Sequence, residues 1–224
     1  MRILAIGDIH GCSIAFDTLL AALELKLEDK IITLGDYVDH GPDAKGVIDR
    51  LIGLYDRGQL IPLRGNHEQI LLNSRSDGKL SPWLDWGGKA TLASYSRSED
   101  GGNLKEIPDR HWDFLENKCV NCYETDTHFF VHAEADPDLP LAEQPEYILF
   151  WGFSDRPLPH FSGKTMIYGH HTQENGLPLN LGHAIGIDTW AYGNGWLTCL
   201  DVISRKVWQA NQAGQKRVFW LNQI

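Results

Sequence analysis

The sequence predicts an α/β fold that opens with a βαβαβ unit on a parallel sheet, and three observations predict it. Short, branched, apolar runs at residues 3–6, 31–34 and 60–63 are bounded by glycine, as strands buried on both faces are. Between them lie two stretches with apolar residues at helical spacing. Each run also ends in a block rich in Asp, Asn and His.

Taken in order, the first strand, residues 3–6, leads into Gly7-Asp8-Ile9-His10-Gly11. Phe16, Leu19, Leu20, Leu23 and Leu27 mark the first helix. The second strand, residues 31–34, ends in Gly35-Asp36-Tyr37-Val38-Asp39-His40-Gly41. Val47, Ile48, Leu51, Ile52 and Tyr55 mark the second helix, and the third strand, residues 60–63, runs into Gly65-Asn66-His67-Glu68. Right-handed connections bring the carboxyl ends of these strands to one edge of the sheet, where open α/β sheets place their ligands.

Residues 67–118 read as helical and aromatic, with Leu71, Leu72, Trp83, Trp86, Leu92 and Tyr95 broken by Gly87-Gly88 and Gly101-Gly102. A helical cap subregion within 70–118 is expected beside the cleft, with Trp83 and Trp86 read as core packing ahead of substrate contact. Residues 128–131 run into His132, and 165–168 run through Gly169 into His170, so five strand ends carry ligand chemistry. Pro137, Pro140 and Pro145 stiffen a surface loop between them. After His170, alternating segments at 179–187, 196–202 and 207–210 predict strands that close a second sheet.

An Asp or Asn in a strand-to-helix loop is ordinarily a helix cap, and a glycine there relieves a tight turn. Capping gives no reason for His10, His67, His132 and His170, each at or just past a strand end. Carboxylate and carboxamide oxygens mixed with neutral imidazoles suit Mn, Fe or Zn, and the lack of thiolate argues against structural zinc. Catalysis is the expected use.

The blocks GDIHG, GDYVDHG and RGNHE, then strands ending in His-Ala and Gly-His, resemble the metal-dependent phosphoprotein phosphatase family of the calcineurin-like metallophosphoesterases, especially its short bacterial members. The resemblance covers most of residues 1–201. It implies an α/β layered sandwich, two packed mixed β-sheets flanked by helices, while the sequence itself supports only the βαβαβ half. It further implies that Asp8 and His10 hold a first metal, that Asp36 bridges both, and that Asn66, His132 and His170 complete the second. Such paired metals sit roughly 3.5 to 4 Å apart and activate a water for in-line attack on phosphorus. Two divalent ions are expected, Mn first, with Fe or Zn as alternatives. His67 is the implied general acid, with Asp39 orienting its ring.

This chain departs from the family at His40, which stands where an arginine normally grips phosphate, and after Trp151-Gly152-Phe153, where a second arginine is missing. Arg156 is the candidate replacement, so His40, Asn66 and Arg156 are the groups expected to face substrate. A charge-assisted hydrogen bond contributes about 1.5–3 kcal/mol, so each lost arginine lowers kcat/KM by about ten- to a hundredfold. A weakened or retuned catalyst is expected ahead of a dead one. Glu134, where the family is small, is expected to face solvent. His171 and His183 are read as surface or supporting histidines, and Asp188 as a buttress or a turn cap.

At 224 residues and 42% hydrophobic, the chain fits one catalytic domain over 1–224. A formal charge of −10 and a pI near 5.4 leave no basic footprint for nucleic acid or anionic membrane. Met1-Arg2 leads straight into a strand, without a leader or a spanning run, and a cytoplasmic location is expected. Cys119 and Cys122 form a lone CxxC, read as bystander thiols, while Cys12, ahead of a helix, is a candidate acidified thiol.

The leading function is hydrolysis of phosphate monoesters, phosphorylated proteins or small phosphoesters being the partners. A dinucleoside polyphosphate hydrolase or phosphodiesterase is the alternative. A noncatalytic metal-binding module is the third, on the strength of His40 alone.

Overall fold

In the computed structural model, which describes residues 1–96 and 102–223, two mixed sheets pack face to face. Gly101 of the expected second glycine break lies outside the described residues. The first half alternates as expected: β1 (Ile3–Ile6), α1 (Ser13–Leu23), β2 (Lys30–Thr33), α2 (Ala44–Asp56), β3 (Leu60–Pro62) and α3 (Asn66–Asp77). β1, β2 and β3 are parallel, as their apolar runs predict.

Residues 81–118 form short helical pieces: α4 (Ser81–Trp83), π-helical turns at Leu84–Gly88 and Phe114–Lys118, α5 (Lys89–Tyr95) and α6 (Asp109–Asp113). Then come β4 (Cys122–Glu124), β5 (His128–Val131), α7 (Glu146–Trp151), β6 (Thr165–Tyr168), β7 (Leu179–Asn180), β8 (Ala184–Gly186) and β9 (Asp188–Thr189). The chain finishes with β10 (Trp196–Asp201), β11 (Lys206–Ala210) and β12 (Lys216–Trp220).

One sheet has the order β12-β11-β10-β1-β2-β3, with β9 also on β10, and the other has β4-β5-β6-β8-β7. Here the structure corrects the sequence reading. Segments 196–202 and 207–210 were expected to close the second sheet, but β10 runs antiparallel along the free edge of β1. Alternation specifies a strand and its two faces, not the edge that it joins. Both faces of β10 are in fact used: Leu197 and Cys199 enter the core under the helices, while Leu200 and Val202 enter the core between the sheets.

The inter-sheet core joins Ala5, Ile32 and Leu34 to Phe130, Ile167 and Ile185. A second core lies between the first sheet and α1 and α2, through Phe16, Leu19, Val47, Ile48 and Leu51. A third sets Leu149 and Phe150 of α7 on the outer face of β5 and β6. Each Leu, Ile, Val or Phe side chain among these contributes roughly 1.5–3 kcal/mol when fully buried. Covered on both sides in this way, the strand ends are held rigidly.

The first helix stops a turn short of Leu27, which is 92% exposed. Glu24 takes a left-handed conformation, φ 47°, and the Arg2 guanidinium donates to the carbonyls of Leu23 and Glu24, satisfying the helix end. Arg2 also pairs with buried Asp29 and holds that carboxyl well below the usual range. No helix among the described residues is long and apolar enough to cross a membrane.

Candidate active site

The carboxyl ends of β1, β2 and β3 in one sheet and of β5, β6 and β8 in the other point to the same edge. The loops leaving them are stitched together by hydrogen bonds. His10 N donates to Asp36 O (2.8 Å), Gly169 N to His132 O (2.8 Å), and His170 N to the Asp8 carboxylate (3.0 Å). Glu68, fully buried on the first turn of α3, accepts from the backbone N–H groups of Asp36, Tyr37, Val38 and Gly65 at 2.7–3.3 Å. One carboxylate thus fixes the loop after β2 against the loop after β3.

This crowding demands unusual backbone. His10, Asp36, Asp39, His40 and His170 all have φ between 43° and 69°. The left-handed region costs a side-chain-bearing residue about 1–2 kcal/mol, and His and Asp are among the residues found there most often. Two glycines leave room for carboxylates: a Cβ on Gly169 would stand 2.0 Å from Asp8 Oδ1, and one on Gly65 2.1 Å from Asp36 Oδ1.

Two ligand groups result, and they share one residue. Asp8, His10 and Asp36 present ligand atoms within 4.8 Å of one another, and so do Asp36, His132 and His170. Asp36 turns Oδ2 toward His10 Nε2 and Oδ1 toward His132 Nε2, each at 3.5 Å. Asn66 joins the second group, its Oδ1 lying 2.8 Å from His132 Nε2.

The donor set fits divalent cations. Asp8 Oδ1 is buried without a hydrogen-bond partner. His10 and His132 each donate Nδ1–H to a backbone carbonyl, of Val38 and Leu34 respectively, both at 2.8 Å, leaving the Nε2 lone pairs free. The lone pair of His132 faces the Asn66 oxygen, a contact of two acceptors that a cation reconciles. Burial, with Asp188 and Asp36 nearby, raises the Asp8 carboxyl well above its ordinary range, and burial pushes Asp36 up to about 8. Burial and neighbouring imidazoles hold His10 and His132 neutral, and bring His170 down to about 4. Unpaired carboxylates and neutral imidazoles are what a cation site looks like before its charge is balanced.

Beside these groups stands a buried pair. His67 Nδ1 donates to Asp39 Oδ2 at 2.7 Å, and Asp39 is itself gripped by Trp83 Nε1 and the Thr91 hydroxyl at 2.7–3.1 Å. Burial opposes the charged imidazolium, but Asp36 and Asp39 outweigh it and raise His67 to about 9. His67 Nε2 remains directed toward the ligand groups, 4.0 Å from Asp36 Oδ2.

His40 is exposed at its edge, stacks on Tyr192 (centroids 4.4 Å, planes 16° apart) and is shifted toward its neutral form by partial desolvation and by His67. Arg156 lies exposed after α7, and its guanidinium makes no hydrogen bond or ion pair among the described residues. Trp83 packs in the core as expected. Trp86 does not: it is 51% exposed, edge-on to Trp151 at 5.6 Å, and the two indoles flank His67 and His170. The left-handed glycine at 87 turns the chain between Trp83 and α5 and frees Trp86 from helical register.

Other expectations are also corrected. Cys12 is not acidified: it is fully buried, and burial pushes its thiol up to about 12. Glu134 is partly buried near His171, with Oε1 unpartnered, and does not simply face solvent. Asp188 has both proposed roles, accepting from Trp190 N and Thr172 Oγ1 while its charge acts on Asp8. Sequence reasoning missed the anchoring roles of Glu68, Trp83 and Thr91 and the stacking of Tyr192. Only Glu68, three residues past Gly65 at a helix start, carried a local signal.

Such a strand-end cluster on two packed mixed sheets is that of a metallophosphoesterase, and the chain belongs to the calcineurin-like phosphoesterase family, whose model matches residues 1–193. It is 31% identical over 138 residues to serine/threonine-protein phosphatase 1 of Salmonella typhimurium, covering 58% of this chain and 57% of that protein. It is 42% identical over 73 residues to the symmetrical bis(5'-nucleosyl)-tetraphosphatase of an Acidovorax species, covering 32% of this chain and 25% of that one. The matched segments span less than two thirds of either relative. In fold it is similar to a solved structure carrying the provisional name diadenosine tetraphosphatase, with a TM-score of 0.68 at 23% identity over 98% of this chain and 93% of that one.

Proposed function

We propose that this chain hydrolyses phosphate monoesters, on phosphorylated protein or small phosphoesters, with two divalent ions, Mn first. The observation that carries this reading is the sharing of Asp36 between two ligand groups with the His67–Asp39 pair alongside. Asp8, His10 and Asp36 would hold one ion, and Asp36, Asn66, His132 and His170 the other. Bound there, the ions supply Lewis acidity toward the phosphoryl oxygens and acidify a water.

The protein's own groups do the rest. His67, protonated at neutral pH, presents Nε2–H to the leaving oxygen, and Asp39 holds the ring in the orientation that makes this donation. Asn66 and His40 orient the phosphoryl group, His40 with a neutral imidazole in place of a fixed cation. Arg156, exposed and with an unengaged guanidinium among the described residues, is the candidate for a second grip.

A second reading, cleavage of dinucleoside polyphosphates, is favoured by the exposed Trp86–Trp151 pair, which offers aromatic surface to the nucleobase of a bound nucleotide. Assays of the manganese-loaded protein on p-nitrophenyl phosphate, its bis-ester, phosphopeptides and diadenosine tetraphosphate separate the readings. Fastest turnover of monoesters supports the first. Turnover confined to diadenosine tetraphosphate supports the second. Full metal binding without turnover of any substrate leaves a noncatalytic module.

A further inference from the structure

His40 brings a third imidazole to the cleft, and its consequence reaches beyond the loss of a phosphate grip. The rings of His10, His40 and His67 form a triangle, with centroids 4.9, 4.8 and 5.1 Å apart. Their ligand nitrogens all lie within 4.8 Å of one another. The rings of His10 and His67 are already oriented, since each commits Nδ1–H to an outer acceptor, the Val38 carbonyl and the Asp39 carboxylate; Nε2 of His10 is free, and Nε2 of His67 becomes a ligand on giving up its proton. The His40 ring is stacked on Tyr192, but its nitrogens make no hydrogen bond among the described residues, so they are available to complete the set. Asp36 Oδ2 lies near two of the three rings, 3.5 Å from His10 Nε2 and 4.0 Å from His67 Nε2.

We propose that His10, His40 and His67 form a nitrogen-only zinc site that shares His10 with the Asp8–His10–Asp36 group and silences the centre when filled. The silencing half rests on the phosphoesterase reading above; the zinc site does not. Three imidazoles around one open position form a known zinc environment. Nitrogens around a tetrahedral zinc sit about 3.3 Å apart, so closing the triangle takes movements of about an ångström, which exposed His40 is placed to make. His10 Nε2 serves one ion at a time. Oxygen-rich Asp8–His10–Asp36 suits Mn, whereas the imidazole triangle suits Zn, so the identity of the ion selects the position. Zinc in the triangle withdraws His10 from the catalytic pair and takes the place of the proton on His67 Nε2, which passes to solvent, so the atom that would protonate the leaving group has no proton to give. An arginine at position 40 offers no lone pair and closes this option.

The test uses the full chain and its His40→Ala and His40→Arg variants, each checked for native circular dichroism. Zinc affinity is measured by chelator competition on metal-free protein, and Co2+ absorption reports four-coordinate nitrogen ligation. Zinc inhibition is then measured on each manganese-loaded protein relative to its own uninhibited rate. Both variants are expected to lose at least about tenfold in affinity for the tightest-bound zinc, to lose the four-coordinate cobalt band, and to need correspondingly more zinc for half-inhibition. Unchanged zinc affinity and cobalt spectra in both variants overturn the site. Loss of zinc affinity and of the cobalt band without a change in inhibition overturns the silencing. Should no phosphoester be turned over, the phosphoesterase reading and the silencing fall together, while the affinity and cobalt measurements still decide the zinc site.

Discussion

At Asp39 three donors converge on one carboxylate, and that convergence defines what His67 does. Replacing His67 with Asn is expected to lower kcat by about 10²–10⁴-fold on substrates with poor leaving groups while two metal equivalents still bind, as elemental analysis would show. The pH dependence has a definite sign. A proton is held on His67 up to about 9 in the metal-free protein, so NMR of its ring should show loss of the proton near that pH, and Asp39→Asn should bring the titration down. Added cations, being positive, should lower it too. Cys12 should resist iodoacetamide in the native state at pH 8, because burial leaves almost no thiolate; rapid alkylation there would contradict the packing. The gathered residues Asp8, His10, Asp36, Asn66, His67, His132 and His170 were legible because each sits within a few positions of a glycine or strand end that fixes its direction. Trp83, Thr91 and Tyr192 were not, since they act across 44, 52 and about 150 residues of chain respectively, and nothing local marks such contacts.

Among the elements, the βαβαβ half was readable because period and punctuation agree: branched runs, glycine stops and helical spacing each say the same thing. The placement of β10 to β12 was not, because pairing partners depend on which sheet edge stays open, a property of the assembled fold. The early end of α1 was also hidden, for it depends on Arg2 reaching the last carbonyls from a neighbouring strand. That end offers a test. Glu24 is exposed and left-handed, so Glu24→Gly should raise stability by about 0.5–1 kcal/mol in urea unfolding. Gly169→Ala should have the opposite character: its methyl group meets Asp8 Oδ1, displacing a ligand, so affinity for the first ion should fall by at least about tenfold.

For the molecule as a whole, the clustered carboxylates make stability depend on pH and on metal together. Asp36 is raised to about 8 in the folded metal-free chain from an ordinary value near 4, so the fold binds more protons than the unfolded chain between those values. The contribution of Asp36 is therefore fully present below about pH 4 and is lost as pH rises through 8. Ions that bind only the folded, deprotonated cluster stabilise it by mass action, so the gap in Tm between loaded and metal-free protein should widen from pH 5 to pH 8 in calorimetry. A constant gap would mean that the carboxylates are not the ligands. The register that sets Leu4 opposite Asp201 and Ile6 opposite Cys199 has a further implication for biogenesis. A ribosome releasing this polypeptide from its N-terminus exposes the first strand long before its antiparallel neighbour is translated. Until roughly 190 residues beyond β1 have emerged, that ribbon lacks one flank, so chaperone protection and sensitivity to premature stop codons should both centre on the interval before β10 appears.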